Sequence, residues 1–396
     1  MDRPALRCLL LALASPDLAA SADTERLVEA DWLALDAIAA QHRLRPQLHA
    51  LHAQNAAVPA PVRSLWHSDW RAAALAAMPV KADLLHTVGL LREGGIEPLV
   101  LKGGWLAWHA YAHPALRPMR DLDLLVPQPR ILDAVDLLRA AGYTWEEEPD
   151  LPVTELIRFD KSLPGLIAPR GTAIELHLHA WHPSGRLDYP SPDPDDAGMF
   201  ARAITGPDGL AYPSPGDMLA HLIIHAAYSH RLDCGPLLLA DIAVLLGATP
   251  IDWPGFWARA NREGWRGGAR LVLDLVRRWR PSVPVDLAAD PGPPTPAALI
   301  DAAADLMLPD MAQRESASFL ATVMAGGPAA VWRRLTRRVR VATSESAVKR
   351  EAVGERNFAV WALSRLLRTV KDASAGDVRR HSRDLARLSR WLTEAR

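Results

Sequence analysis

The spacing of apolar positions changes period along the chain, and the changes divide it. From the N-terminus to about residue 95 the spacing is helical. Asp31-Trp32-Leu33-Ala34-Leu35-Asp36-Ala37-Ile38-Ala39 carries apolar residues on one helix face, with Asp31 as a fair N-cap. The Ala/Leu-rich stretch over 61–94, with Trp66, Trp70, Leu75, Leu84, Leu85, Leu90 and Leu91, predicts one or two long amphipathic helices that end at Gly94-Gly95. The period then shortens. Pro98-Leu99-Val100-Leu101 is a brief apolar run closed by Gly103-Gly104, the pattern of a buried strand ending in a tight turn before a short helix that begins near Trp105.

Two later runs alternate. Asp121-Leu122-Asp123-Leu124-Leu125-Val126 predicts a strand with both aspartates on one face and Leu122 and Leu124 in the core. In Thr172-Ala173-Ile174-Glu175-Leu176-His177-Leu178-His179, parity puts Glu175, His177 and His179 on one face. Between them, 129–141 predicts a helix with Gly142 as its C-cap, Tyr143-Thr144-Trp145 begins a strand, and 158–169 reads as a hairpin around Leu163-Pro164-Gly165. Residues 183–215, rich in Pro, Asp and Gly, predict an irregular connector with one hairpin. Helical spacing resumes at about Gly216, breaks at 264–268 and again at the Pro-rich linker 284–296, then runs to the C-terminus. The expectation is an α+β protein: a helical region over 1–95, a small mixed-sheet core over 96–213, helices packed on it over 214–284, and a basic helical region over 285–396.

Composition narrows this picture little. The apolar fraction is 49% and the charged fraction 23%, ordinary for a folded protein. The formal net charge of −1 excludes a polycation. Charge is unevenly placed, however: residues 329–396 hold 17 Lys+Arg against 7 Asp+Glu. Trp332-Arg333-Arg334-Leu335-Thr336-Arg337-Arg338-Val339-Arg340 could engage nucleic acid, but a solvated face or one docked on the acidic remainder is favoured. Cys8 and Cys234 alone exclude a disulfide scaffold or a cysteine zinc site and fit a reducing, cytoplasmic setting. The apolar N-terminal run reads as a first helix rather than a signal peptide, and no run looks long enough to span a membrane.

The aspartate pair changes the picture most. Two carboxylates on one strand face repel each other unless a cation lies between them. Glu175, on a strand that could lie beside the first, supplies a third carboxylate, and hard ions such as Mg²⁺ prefer such oxygens. Gly103-Gly104 would let backbone approach a phosphate, with Lys102, Arg117 and Arg120 as cationic donors nearby.

Lys102-Gly103-Gly104, Tyr111, Arg117-Pro118-Met119-Arg120-Asp121-Leu122-Asp123-Leu124-Leu125-Val126, Glu175-Leu176-His177 and the segment 221–227 resemble a bacterial family of uncharacterised nucleotidyltransferases, within the superfamily of DNA polymerase beta. Some members lie near biosynthetic genes for lasso peptides and other ribosomally made peptides. The resemblance covers roughly residues 5–280. It implies a nucleotidyltransferase core with Asp121, Asp123 and Glu175 as catalytic metal ligands, two Mg²⁺ ions or Mn²⁺ in their place, and an NTP, ATP by default. Lys102, Gly103, Gly104, Arg117, Arg120 and His177 would bind the nucleotide. The acceptor is open: a peptide, a protein, a small molecule or an RNA end. The chain departs from the commonest superfamily pattern in having Gly rather than Ser after the first glycine, and in a longer segment before Asp121.

Two other readings stand beside transfer. One is a nucleotide- or partner-binding module of the same fold without catalysis. The other is a metal-dependent phosphohydrolase using histidines, since His221 and His225 share a helix face as His177 and His179 share a strand face. Neither a Walker pattern nor G-x-G-x-x-G occurs at a strand-to-helix junction, so ATPase and Rossmann readings lack support.

Overall fold

The computed structural model describes residues 1–149, 151–158, 160–184, 191–314 and 376–394, with positions 316–318, 320, 321 and 324. The basic run 332–340 lies outside the described residues, as does much of the C-terminal helical region expected over 285–396.

Four helices precede the sheet: α1 (Arg3–Leu13), α2 (Glu29–Gln41), α3 (Arg45–His52) and α4 (Ala60–Glu93). The stretch that predicted one or two helices forms one, continuing through Pro79. By length and composition alone α4 is apolar enough to cross a membrane, a test that the core helix of a folded protein passes as well. Here its Val62, Trp66, Leu84, Val88 and Leu91 are buried in the common core instead. It also braces the sheet: Thr87 shares a 2.7 Å hydrogen bond with Tyr143, and buried Asp83 accepts from the Thr172 amide at 3.3 Å.

Five strands form a mixed sheet: β1 (Leu99–Val100), β2 (Asp121–Leu125), β3 (Thr144–Trp145), β4 (Leu166–Ile167) and β5 (Ala173–His177), in the order β1-β2-β5-β4-β3. Only β2 and β5 are parallel. Helix α5 (Gly103–His109) links β1 towards β2, and α6 (Ile131–Ala140) follows β2. The architecture is α+β.

The hairpin expected around Leu163-Pro164-Gly165 turns elsewhere. Residues 161–163 stay beside β5, where Ser162 bridges His177 and the Leu163 amide donates to Leu176. The chain reverses later, between β4 and β5, where Gly171 takes φ +92°, a conformation open to glycine. The connector after β5 contains a short helix, α8 (Asp196–Ala201), preceded in the chain by α7 (Val153–Leu156), and a small hairpin, β6 (Ile204–Thr205) with β7 (Ala211–Tyr212).

Helices α9 (Pro215–Ile224), α10 (Leu237–Ala248), α11 (Trp253–Arg262) and α12 (Arg266–Trp279) pack against one another, and α10 rests on α5. A π-helical turn, His225–Ser229, extends α9. Helix α13 (Ala297–Leu306) and a terminal helix, Gly376–Glu394, pack together.

Candidate functional site

The site forms where β1 ends and β2 lies beside β5. The Leu101 amide continues the ladder by donating to the Asp123 carbonyl at 3.0 Å, and the chain then turns sharply. Lys102 makes that turn with φ +40° and ψ −110°, a strained conformation for a residue with a side chain. Its ammonium reaches Asp123 Oδ2 at 3.1 Å. The two glycines behind it are required by packing. A Cβ at Gly103 would overlap Arg117 Nη1 and come within 2.8 Å of Met119 Sδ, and one at Gly104 would overlap Val100 Cγ1. The Gly104 amide donates to the Leu101 carbonyl at 3.0 Å. That amide, expected to face a phosphate, is therefore engaged within the loop.

Parallel register sets Asp123 directly opposite Glu175 and Leu125 opposite His177. His177 is buried, and its Nε2 lies 2.8 Å from Asp123 Oδ1 and 3.1 Å from Glu175 Oε2. Its Nδ1 faces the His179 carbonyl at 3.3 Å. Glu175 Oε1 accepts from the Ser162 hydroxyl at 2.6 Å and lies 3.6 Å from Lys161 Nζ. One ligand atom each from Asp123, Glu175 and His177 falls within 4.8 Å of the others, a spacing that a metal ion can bridge.

Electrostatics follow from these partners. Burial works to raise the Asp123 carboxyl, but the Lys102 charge and the His177 hydrogen bond hold it well below the usual carboxylate range. Glu175 shows the same balance: burial against the hydrogen bond from His177 and the Lys161 charge, leaving it at about 2. Asp121 differs. It stands at the exposed outer end of β2, opposite Ala173, and has no partner among the described residues. Enclosure of its carboxyl by the surrounding protein, and then repulsion from Asp123, push its pKa up.

The basic loop is anchored from the helical side. Arg117 makes a bidentate pair with Asp241 of α10 at 2.9 and 3.0 Å, and Tyr111 donates to the same carboxylate at 2.8 Å. A bidentate arginine pair fixes orientation as well as charge. Arg43 donates to the Pro118 carbonyl at 3.1 Å, while Arg120 is exposed. Arg117, expected at the nucleotide, therefore spends its guanidinium on α10 and on the space above Gly103.

The remaining histidines disperse. His179 turns to Asp196 of α8 at 2.6 Å. His221 is buried against Trp181 and His225, with ring centroids 6.1 and 6.2 Å away, and neither of its nitrogens has a hydrogen-bond partner. Burial first, and the Lys102 charge second, push both His221 and His225 well below the usual imidazole range. His230, 4.3 Å from His225 between centroids, is lowered to about 3 by the same causes. Among the described residues, the metal-sized cluster is the one at Asp123, Glu175 and His177.

Lys161 and Ser162 were missed in the sequence. Only five lysines occur in the chain, and that scarcity was a usable signal: two of them, Lys102 and Lys161, stand on the two carboxylates of the site. The Asp241 partner of Arg117 lay in a helix too apolar to suggest it.

No curated protein and no solved structure matches the chain. One family model does, described as an uncharacterised nucleotidyltransferase and matching residues 28–281, nearly two thirds of the chain. That span includes the Lys102 turn, both strands of the carboxylate pair, and the α9 to α12 helices behind them. The chain thus belongs to the uncharacterised nucleotidyltransferase family.

Proposed function

We infer that this protein transfers a nucleoside monophosphate from an NTP to a nucleophile on a second substrate and releases pyrophosphate. Membership of the family supports transfer. The observation that carries the reading is the side-by-side placement of Asp123 and Glu175 on parallel strands, beside the lysine that opens the glycine turn.

Asp121, Asp123 and Glu175 are the carboxylates that would hold divalent ions. Bound there, such ions would polarise the α-phosphoryl group and offset charge on the leaving pyrophosphate. In the reaction, the acceptor oxygen bonds to the α-phosphorus, the bond from that phosphorus to the bridging oxygen breaks, and pyrophosphate departs with the electron pair. Lys102 stands at the turn where it can offer charge to the phosphates, with the Gly103 backbone beside it. Arg117 positions that turn through Asp241, and exposed Arg120 is available to the incoming anion. Glu175, directly opposite Asp123 and within the metal-sized cluster, is assigned to holding an ion. Asp121, at the solvent end of β2 with no hydrogen bond to another side chain among the described residues, is the carboxylate placed to take the acceptor proton.

The acceptor class we would try first is a ribosomally made peptide, with ATP and Mg²⁺ or Mn²⁺ as the first conditions. The test is pyrophosphate release from each NTP with candidate acceptors, by the wild-type protein and Asp121→Asn. Acceptor-dependent release by the wild type alone supports the reading. Release of inorganic phosphate without an acceptor would favour the phosphohydrolase, and NTP binding without turnover would favour a binding module.

A further inference from the structure

We propose that His177 is itself a metal ligand, so that the ion held between β2 and β5 has mixed oxygen and nitrogen coordination and is a first-row transition ion of the Mn²⁺ type in preference to Mg²⁺. This rests on the nucleotidyltransferase reading of the same site and changes which ion it takes.

The argument is one of which atoms are tied down. Asp123 gives Oδ2 to Lys102 at 3.1 Å and turns Oδ1 inward. Glu175 gives Oε1 to Ser162 at 2.6 Å and to Lys161 at 3.6 Å, and turns Oε2 inward. His177 points Nδ1 at the His179 carbonyl, 3.3 Å away. A carbonyl can only accept, so Nδ1 carries the hydrogen and Nε2 is the inward nitrogen. Each of the three side chains thus has its outer polar atom held by the protein and its inner one free to meet the others. Support of this kind is what orients ligands around a metal and sets the imidazole tautomer.

The spacing agrees. Ligand atoms at adjacent corners around a small divalent ion, each about 2.1 Å from it, lie about 3 Å apart. Nε2 lies 2.8 Å from Asp123 Oδ1 and 3.1 Å from Glu175 Oε2. Two carboxylate oxygens facing one buried nitrogen, all within 4.8 Å of one another, call for a positive centre among them. A divalent ion at that point supplies it.

The donor set chooses the ion. Mg²⁺ keeps its water and prefers oxygen, whereas imidazole suits later first-row ions; two carboxylates with one imidazole fall between, where Mn²⁺ accepts both. Asp121 stands outside this trio, one strand step towards solvent, with Ala173 opposite it.

The experiment is pulsed EPR on the full-length protein with Mn²⁺ added alone, in unlabelled protein and in protein grown on ¹⁵N-histidine, with His177→Gln and His221→Phe for comparison. Pyrophosphate release is followed on the same samples. The expected result is a directly coordinated ¹⁴N that becomes ¹⁵N on labelling, persists in His221→Phe and is lost in His177→Gln. Mn²⁺ should bind about tenfold or more tightly than Mg²⁺ in the wild type, with the gap narrowing in His177→Gln. Bound Mn²⁺ with no nitrogen signal, or a nitrogen signal surviving in His177→Gln, would overturn the proposal. Absence of a histidine nitrogen in the labelled wild type would overturn the proposal without any variant, so misfolding of His177→Gln leaves it falsifiable. Pyrophosphate release in samples lacking the nitrogen signal would show that this inference fails while the transferase reading stands; loss of both would sink the two together.

Discussion

Two groups of buried polar residues lie close enough that the charge of Lys102 acts on both, and they are built on opposite plans. In the first, Asp123, Glu175 and His177 on β2 and β5, every outer polar atom is matched by a lysine, a serine or a carbonyl. In the second, on α9 and the π-helical turn, His221 has neither nitrogen matched and His221, His225 and His230 are kept neutral chiefly by burial. Both have ligand-like spacing in the sequence, Glu-x-His on a strand and His-x-x-x-His on a helix. Spacing therefore did not separate them. What separates them is convergence: parallel pairing sets Asp123 beside Glu175, and the neighbouring loops bring countercharges, whereas neither nitrogen of His221 has a hydrogen-bond partner among the described residues.

The largest effect should come from breaking the first group. Asp123→Asn should lower transfer by about a thousandfold or more, since it removes an ion ligand and a developing-charge partner together. It should also cost up to about 3 kcal/mol of stability, because the Lys102 ammonium, 12% exposed, is left without its partner. Activity assays beside urea unfolding check both parts; a fully active variant would reject the mechanism. Next in size is Gly103→Ala. Its Cβ meets the Arg117 guanidinium and Met119 Sδ, so either the Arg117–Asp241 pair or the Lys102 turn must shift. A displacement of this kind near the reacting atoms can cost about a hundredfold in rate, with about 1–3 kcal/mol from overpacking.

Much of this arrangement was legible in the chain, and the reason is periodicity. Alternation placed Asp121 with Asp123 and Glu175 with His177, and glycine spacing marked the turn at Lys102. Pairing was not legible, because strand order and register depend on contacts distant in sequence: nothing local to Glu175 shows that its neighbour is Asp123 or that residues 161–163 run beside it. The same limit hid Asp241 behind Arg117 and moved the hairpin turn from Pro164 to Gly171. It also concealed that Gly103 and Gly104 answer to Arg117, Met119 and Val100.

A pH titration sharpens the comparison further. His42 and His381, each lowered to about 4, and His230, lowered to about 3, stay neutral in the fold chiefly because they are buried. Below about pH 6.5 the unfolded chain binds protons at these residues first, so stability falls with pH. Each should contribute a slope of about 1.4 kcal/mol per pH unit until its folded pKa is reached. Asp123 and Glu175 are depressed carboxylates, so their contribution is present above about pH 4; that of Glu175 is lost as pH falls towards about 2, and that of Asp123 as pH falls well below the usual carboxylate range. Urea unfolding between about pH 7 and pH 5 should therefore show loss before the depressed carboxylates Asp123 and Glu175 titrate; a flat profile there would contradict the neutral-histidine account. The smallest effect is expected for His221→Phe. Replacing an unmatched buried ring by an apolar one should change stability by no more than about 1 kcal/mol, in either direction. A large loss of transfer in a folded His221→Phe protein would show that the second group serves the reaction after all.

The central claim is transfer of a nucleotide by the carboxylate site. It is tested most directly by mass spectrometry of candidate acceptors, and of the protein itself, after incubation with each NTP and either Mg²⁺ or Mn²⁺, with Asp123→Asn in parallel. The account predicts a mass gain equal to one nucleoside monophosphate on an acceptor, absent with Asp123→Asn. An unchanged gain with that variant, or NTP consumed with phosphate released and no acceptor modified, would contradict it.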